Sequence, residues 1–361
     1  MSLLLLVAGL SMPAAARAQL DPRTALLERD AFQLLEDGQP RRAAEMFREA
    51  LKTDPNSARL HLGAGLAAYL ERRNADARNE LERALALDAR LAEARVALGQ
   101  VLRRQGDLEG AVRVYETLVA EHPDEREAVE TLERWRREID LHDRMRHAIG
   151  DRFTVSFEGP AEEELAGRAL ESLDRAYWRI GDLLGATYPL NPVTVVLYTR
   201  EQFKDVTRSP AWAAGAYDGI IRVPVRGALD KSDELDRVLA HEFTHALVRG
   251  LAARGVPTWL NEGLASAVES EATAWAEERL QKAGGVIPLA DLTSSFGRLS
   301  GEDAEVADAE SAVIVRRMLD EAGGYAVANL LRDLGEGAAF DAAFLRRIQR
   351  PFADFMASVV H

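Results

Sequence analysis

The stretch "DRVLAHEFTHALVRGLAARGVPTWLNEGLASAVES" runs from Asp236 to Ser270 and carries two histidines four residues apart. Glu242 follows the first histidine directly, and Glu262 lies further along. The stretch is either an ordinary helix with polar residues or a helix pair built around a metal ion. Just upstream, Ser232 suits a helix N-cap, and Asp233 and Glu234 in the first turn complement the helix dipole. Leu235, Leu239, Phe243, Ala246 and Leu247 recur at helical spacing and form an apolar stripe. His241 and His245 are one turn apart, so they project from one side at the edge of that stripe. Two imidazoles so placed can reach a single ion. Glu242, one residue further around the helix, can face the ion's open position without being a ligand. This is the logic of HExxH: two nitrogens for zinc and a carboxylate to take a proton from water.

A catalytic zinc needs a third protein ligand and an open fourth position. The first helix is expected to end near Gly250 or Gly255, and Pro257 suits the start of a second helix, "TWLNEGLASAVES". Two antiparallel helices with a short connection would bring Glu262 alongside His241 and His245. No HxxGxxH continuation follows His245, which disfavours a third histidine. The chain has no cysteine, so a thiolate site and a disulfide framework are both excluded. Trp259, just before the Asn-Glu-Gly turn, is expected to pack the two site helices together.

Upstream of this pair the pattern is that of a small sheet. "RFTVSFEG" alternates as a half-buried strand does. "AEEELAGRALESLDRAYWRIGDLLG" is a long amphipathic helix, with Glu162–Glu164 as its first turn. "PVTVVLY" reads as a second strand and "GAYDGIIRVPV" as a third, with Pro224 confining the latter to an edge or to the strand's end. After Ser232 the chain reads as almost wholly helical. An α+β domain over 151–361 follows.

The first part of the chain repeats. "AAEMFREALKTDPNS" from Ala43, "ARNELERALALDARL" from Ala77 and "AVRVYETLVAEHPDE" from Ala111 start 34 residues apart. Ala31, Gly65 and Gly99 align as small residues, and Phe47, Leu81 and Tyr115 as large apolar ones. Pro55 and Pro123 align across Ala89. Small residues let two helices approach, and large ones fill the gap to the next pair. The period resembles tetratricopeptide repeats. It predicts an all-α helical-repeat solenoid over 24–147, closed by "DEREAVETLERWRREIDLHDRMRHAI" as a capping helix with Trp135 in its core. His61 is expected to pack on a repeat helix, and His122, His142 and His147 to be solvated. A spacer or dimerisation surface fits such a stack as well as a peptide-binding groove does.

HEFTH followed by WLNEGLA resembles the gluzincin metallopeptidases, most of all the peptidase MA-like domains of bacterial secreted proteins. "GAYDGIIRVPV" before the site helix and "SFGRL…AESAVIVRRMLDEAGGYAVANLLRDLGEGAAFDAAF" after it support the resemblance, over about Arg152 to Val360. It implies a zincin-like fold, Zn2+ held by His241, His245 and Glu262, and Glu242 as the catalytic base. It also implies an edge strand, Ala216–Val223, that pairs with extended peptide through main-chain hydrogen bonds, with Ala216, Tyr217, Asp218, Gly219 and Ile220 nearest the substrate. Two positions depart from the family pattern. Ser266 stands where many gluzincins have an aspartate that orients a zinc histidine. Asp308 stands before Ser311 where relatives often have a tyrosine that would donate to the oxyanion. Tyr217, His361 or another residue would have to serve instead.

A net charge of −14 disfavours nucleic acid as a partner. "LLLLVAGL" (Leu3–Leu10) is too short to span a bilayer. With the small-x-small pattern at Ala16-Arg17-Ala18 it reads as a signal peptide over 1–18, and otherwise as a buried N-terminal helix. No later run has the length of a transmembrane helix. The expectation is an exported zinc peptidase, periplasmic or extracellular, with repeats that recruit a protein or peptide. The alternatives are a non-catalytic binding module with a degenerate metallopeptidase-like domain, and a repeat-based assembly factor whose C-terminal domain is a lid.

Overall fold

The computed structural model describes residues 22–185, 192–207, 215–225, 232–269, 273–283, 287–293, 296, 299 and 301–359. The expected signal peptide, the side chain of Ser232 and His361 lie outside the described residues. The chain divides between Asp143 and Arg144 into two compact units. No described helix is long and apolar enough to cross a membrane.

The first unit is helical throughout its described residues: α1 (Pro22–Glu36), α2 (Pro40–Thr53), α3 (Ala58–Leu70), α4 (Asn74–Leu87), α5 (Ala92–Gln105), α6 (Leu108–Glu121) and α7 (Arg126–His142). Local chemistry sets the boundaries. Pro40 opens α2, where its missing N–H leaves no bond unmade. The Asp107 carboxylate caps α6 by accepting from Gly110 N at 2.8 Å. The repeat period has a direct steric cause. A Cβ on Gly65 would lie 2.7 Å from Leu81 Cγ, and one on Gly99 would lie 2.3 Å from Tyr115 Cε2. In these two pairs the glycine on the first helix makes room for the large residue on the second. Tyr115 in turn meets the buried Trp135 of α7 at a ring separation of 4.5 Å, which closes the end of the core.

Two expectations for this part need correction. The capping helix ends at His142, and Arg146–Ile149 form a strand, β1, instead of its last turn. Met145 and Ile149 have helical spacing, but the backbone pairs with the next strand and Ile149 is exposed. His61 is not simply packed: its Nδ1 lies 2.7 Å from Glu80 Oε2 and its Nε2 3.0 Å from Pro55 O.

The second unit starts with a sheet. β1 is followed by β2 (Phe153–Phe157), a short 3-10 turn, α8 (Glu163–Leu184), β3 (Val193–Tyr198), α9 (Arg200–Thr207), β4 (Ala216–Tyr217) and β5 (Ile221–Pro224). The strand order is β1-β2-β3-β5-β4. β2, β3 and β5 run parallel, and β1 and β4 are antiparallel to their neighbours. Val155, Val195, Leu197, Ile221 and Val223 share one core with Leu173 and Ile180 of α8. "GAYDGIIRVPV" is thus a hairpin, not one strand. The chain reverses at Asp218–Ile220, where Gly219 has φ +116°, a conformation that favours glycine. The buried Arg222 donates to the Asp218 carboxylate and ties the turn. Pro224 therefore ends an interior strand.

Helices complete the unit: α10 (Ser232–Leu251), α11 (Thr258–Glu269), α12 (Ala274–Ala283), α13 (Leu289–Leu292), α14 (Gly301–Ala322), α15 (Gly324–Gly335), α16 (Phe340–Ile348) and α17 (Phe352–Val359). Trp259 is buried, but its ring neighbours are Phe340 at 5.8 Å and Phe352 at 5.6 Å. Through these rings it anchors α11 to the C-terminal helices.

Candidate metal centre

The apolar stripe of α10 is buried as its spacing requires: Leu235, Leu239, Phe243, Ala246 and Leu247 all lie in the core. That rotation leaves His241 and His245 side by side, with ring centroids 4.8 Å apart. α10 ends at Leu251, and the Pro257 carbonyl accepts from Leu260 N and Asn261 N to start α11. The return places Glu262 Oε2 3.4 Å from His245 Nε2 and 3.9 Å from His241 Nε2. The three residues each offer one ligand atom, all within 4.8 Å of one another. Among the described residues they are the group that could hold a metal ion. Tetrahedral zinc with bonds of about 2.0–2.2 Å needs ligand atoms about 3.3–3.6 Å apart. The donor set and its spacing fit that ion after small adjustments.

α11 is held by α8 and α14. At Gly263 the helix meets α14 so closely that a Cβ would lie 2.2 Å from Ser311 O. The last carbonyls of α11, which no helical N–H can reach, accept from two arginines. Arg179 of α8 donates to Val268 O at 2.6 Å, and Arg316 of α14 donates to Ala267 O.

The surroundings add residues that the sequence pattern does not single out. Glu269 Oε2 lies 3.5 Å from His241 Nδ1, on the side of the ring away from Glu262. Its signal is its spacing, seven residues after Glu262, which returns to nearly the same helix face. Ser266 Oγ donates to Asp308 Oδ1 at 2.9 Å, which links the two positions that depart from the family pattern. His245 Nδ1 is buried without a hydrogen-bond partner among the described residues. Glu242 is 6% exposed, and its Oε2 likewise has no hydrogen-bond partner there. Gly215 sits against it, at a distance where a Cβ would be 2.5 Å from Oε1.

The electrostatics are those of a cation site. Burial works against charge on His241, but the carboxylate of Glu269, with the charges of Glu242 and Glu262, outweighs it and raises the pKa to about 10. Burial pushes Glu242 above the usual carboxylate range, against the pull of His245 and His241. Burial also raises Asp308 to about 6, opposed by His241 and by the Ser266 hydrogen bond.

Of the residues expected to meet substrate, Ala216 and Tyr217 form β4, whose one partner among the described strands is β5. Asp218, Gly219 and Ile220 form the turn instead. Ile221–Val223, expected within the edge strand, lie in β5 between β3 and β4, so their main chain is already paired. Tyr217 is half-buried, and burial raises its pKa against the pull of Arg249. Arg249 Cζ lies 5.9 Å from the ring.

Residues 174–348 match the family model described as Peptidase MA superfamily. Residues 68–135 and 33–89 match two tetratricopeptide repeat models. The chain thus carries a Peptidase MA superfamily domain behind tetratricopeptide repeats. Among curated proteins none matches it. Similar solved structures include the crystal structure of MamA, 25% identical, covering 34% of this chain and 72% of that one at a TM-score of 0.32. The first TPR domain of the human RPAP3 protein is 19% identical, with 33% and 93% covered and a TM-score of 0.32. The second TPR domain of that protein, in complex with an HSP70 peptide, is 23% identical, with 31% and 95% covered and a TM-score of 0.30.

Proposed function

We propose that this chain is an exported zinc-dependent peptidase, periplasmic or extracellular, whose repeat unit recruits a protein or peptide. The observation that carries the reading is the convergence of His241, His245 and Glu262 on one point, with the buried carboxylate of Glu242 beside them. A structural site has no need of that fourth residue. Zinc held by the three ligands supplies a Lewis acid that polarises a carbonyl and activates water near neutral pH. Glu242 accepts the proton of the attacking water and passes it to the leaving amine. Among the described strands β4 has β5 as its one partner, so an extended peptide can join the sheet at its other edge through main-chain bonds, whatever its side chains.

A second reading, a non-catalytic binding module, draws on Asp308. A carboxylate at the place of the expected tyrosine donates a hydrogen bond only when protonated. The deciding experiment is metal content of the purified protein together with hydrolysis of an extended-peptide library, with and without chelator. Zinc at one per chain and chelator-sensitive turnover support the peptidase. Bound zinc without turnover on any peptide supports the binding module.

A further inference from the structure

We infer that Gly215 is a positioning residue for Glu242: the backbone leading into β4 is the wall that sets where the buried carboxylate points. The functional part of this inference rests on the peptidase reading. A buried carboxylate is ordinarily held by hydrogen bonds. Glu242 Oε2 has none among the described residues, so packing must do part of that work. At Gly215 a Cβ would come 2.5 Å from Oε1, 2.8 Å from Cγ and 2.9 Å from Cδ of Glu242. All three distances are shorter than real Cβ atoms show. Because Cγ and Cδ are involved, turning the carboxylate tip does not relieve the conflict. The side chain must leave its rotamer or the strand must retreat, and either way the oxygens move.

The requirement for glycine is steric: the space a Cβ would take is held by three atoms of Glu242. The contact also joins two parts of the site. Gly215 precedes Ala216, the first residue of β4. A peptide paired on β4 is therefore brought against Glu242 at the Gly215 end of the strand, which fixes the base relative to the bond that it serves.

The test is a double-mutant cycle on the full chain: wild type, Gly215→Ala, Glu242→Ala and the double variant, with thermal unfolding and zinc content measured for each. Gly215→Ala is expected to lower the melting temperature by several degrees when Glu242 is present. In the Glu242→Ala background it should have little effect, because the atoms it strikes are gone. Zinc content should be unchanged. Turnover of an extended peptide should fall by about 10²-fold in kcat, with KM little altered, as for a reacting group misplaced by about 1 Å. Equal destabilisation in both backgrounds, or zinc lost from Gly215→Ala, would overturn the role assigned to Gly215. Absence of turnover in the wild type would count against the peptidase reading and leave the stability cycle to decide the contact.

Discussion

Gly263 offers a test whose sign depends on the packing. Glycine inside a helix is about 0.8–1.0 kcal/mol less favourable than alanine, so with free space Gly263→Ala should stabilise α11. Space is absent. The new Cβ would lie 2.2 Å from Ser311 O, 2.6 Å from its carbonyl carbon and 2.7 Å from Val315 Cγ2. Two of those atoms are backbone of α14, which cannot turn aside as a side chain can. Overpacking of this kind costs about 1–3 kcal/mol. In a unit of this size each kcal/mol moves the melting temperature by about 2–4 °C, so a fall of about 2–12 °C is expected. Glu262 precedes Gly263 on the same helix, so zinc affinity should fall as well. Gly167 in α8 is the control, since a Cβ there meets nothing within 4 Å. Gly167→Ala should raise the melting temperature by about 2–4 °C. Scanning calorimetry of the two variants beside wild type decides the matter. If Gly263→Ala stabilises as Gly167→Ala does, the close approach of α11 and α14 is refuted, and with it the steric reason for glycine after the ligand.

Glu262→Ala, His241→Ala and His245→Ala should each lose zinc and activity together. Glu242→Gln should keep zinc at full occupancy while turnover falls by about 10²–10⁴-fold; equal zinc loss in Glu242→Gln and Glu262→Ala would make Glu242 a ligand. Glu269→Ala should weaken zinc binding by about 10–100-fold in a chelator competition, because it leaves the far nitrogen of His241 without its carboxylate; unchanged affinity would remove Glu269 from the site. Asp308 titrates at about 6 in the folded, metal-free protein against an ordinary value of 3.8, so the folded state binds this proton more tightly. Stability is therefore lost as pH rises through that window, and Asp308→Asn, which still accepts from Ser266, should be neutral near pH 4 and stabilising by ~1–3 kcal/mol at pH 7. Denaturant unfolding of the metal-free variant at the two pH values checks this, and equal effects at both would contradict it.

Features that depend on spacing within one helix are legible in the amino-acid sequence alone. The 34-residue period places Gly99 and Tyr115 in their repeat, and the structure adds only that the ring occupies the space of the missing side chain. The i, i+4 histidines and the glutamate beyond the turn follow from helix geometry, and their donor atoms do converge. The hairpin at Asp218-Gly219 carries a known turn signal that the long apolar run "GIIRVPV" obscures. Ile149 and Met145 mislead because helical spacing also occurs in a strand that pairs by its backbone. The ring partners of Trp259, Phe340 and Phe352, lie 81 and 93 residues away in sequence, and no local pattern names them.

The positions that depart from the family pattern show where local reading ends. Ser266, considered alone, implies a missing carboxylate behind a ligand histidine. On an α-helix the residue four places after Glu262 is turned by about 40°, and the residue seven places after it by about 20° the other way. Glu269 therefore stays close to the face of Glu262 and reaches His241 Nδ1. Ser266, turned the other way, bonds to Asp308 on α14. A carboxylate behind His241 is thus present in the sequence, but at a helical offset that a pattern fixed at four residues does not examine. Asp308, in turn, is not an isolated replacement for a tyrosine: its hydrogen bond to Ser266 makes the two departures one paired feature across α11 and α14. Asp308→Tyr, unlike Asp308→Asn, removes the acceptor from the buried Ser266 hydroxyl, so it would need a smaller or apolar residue at 266 to be accommodated.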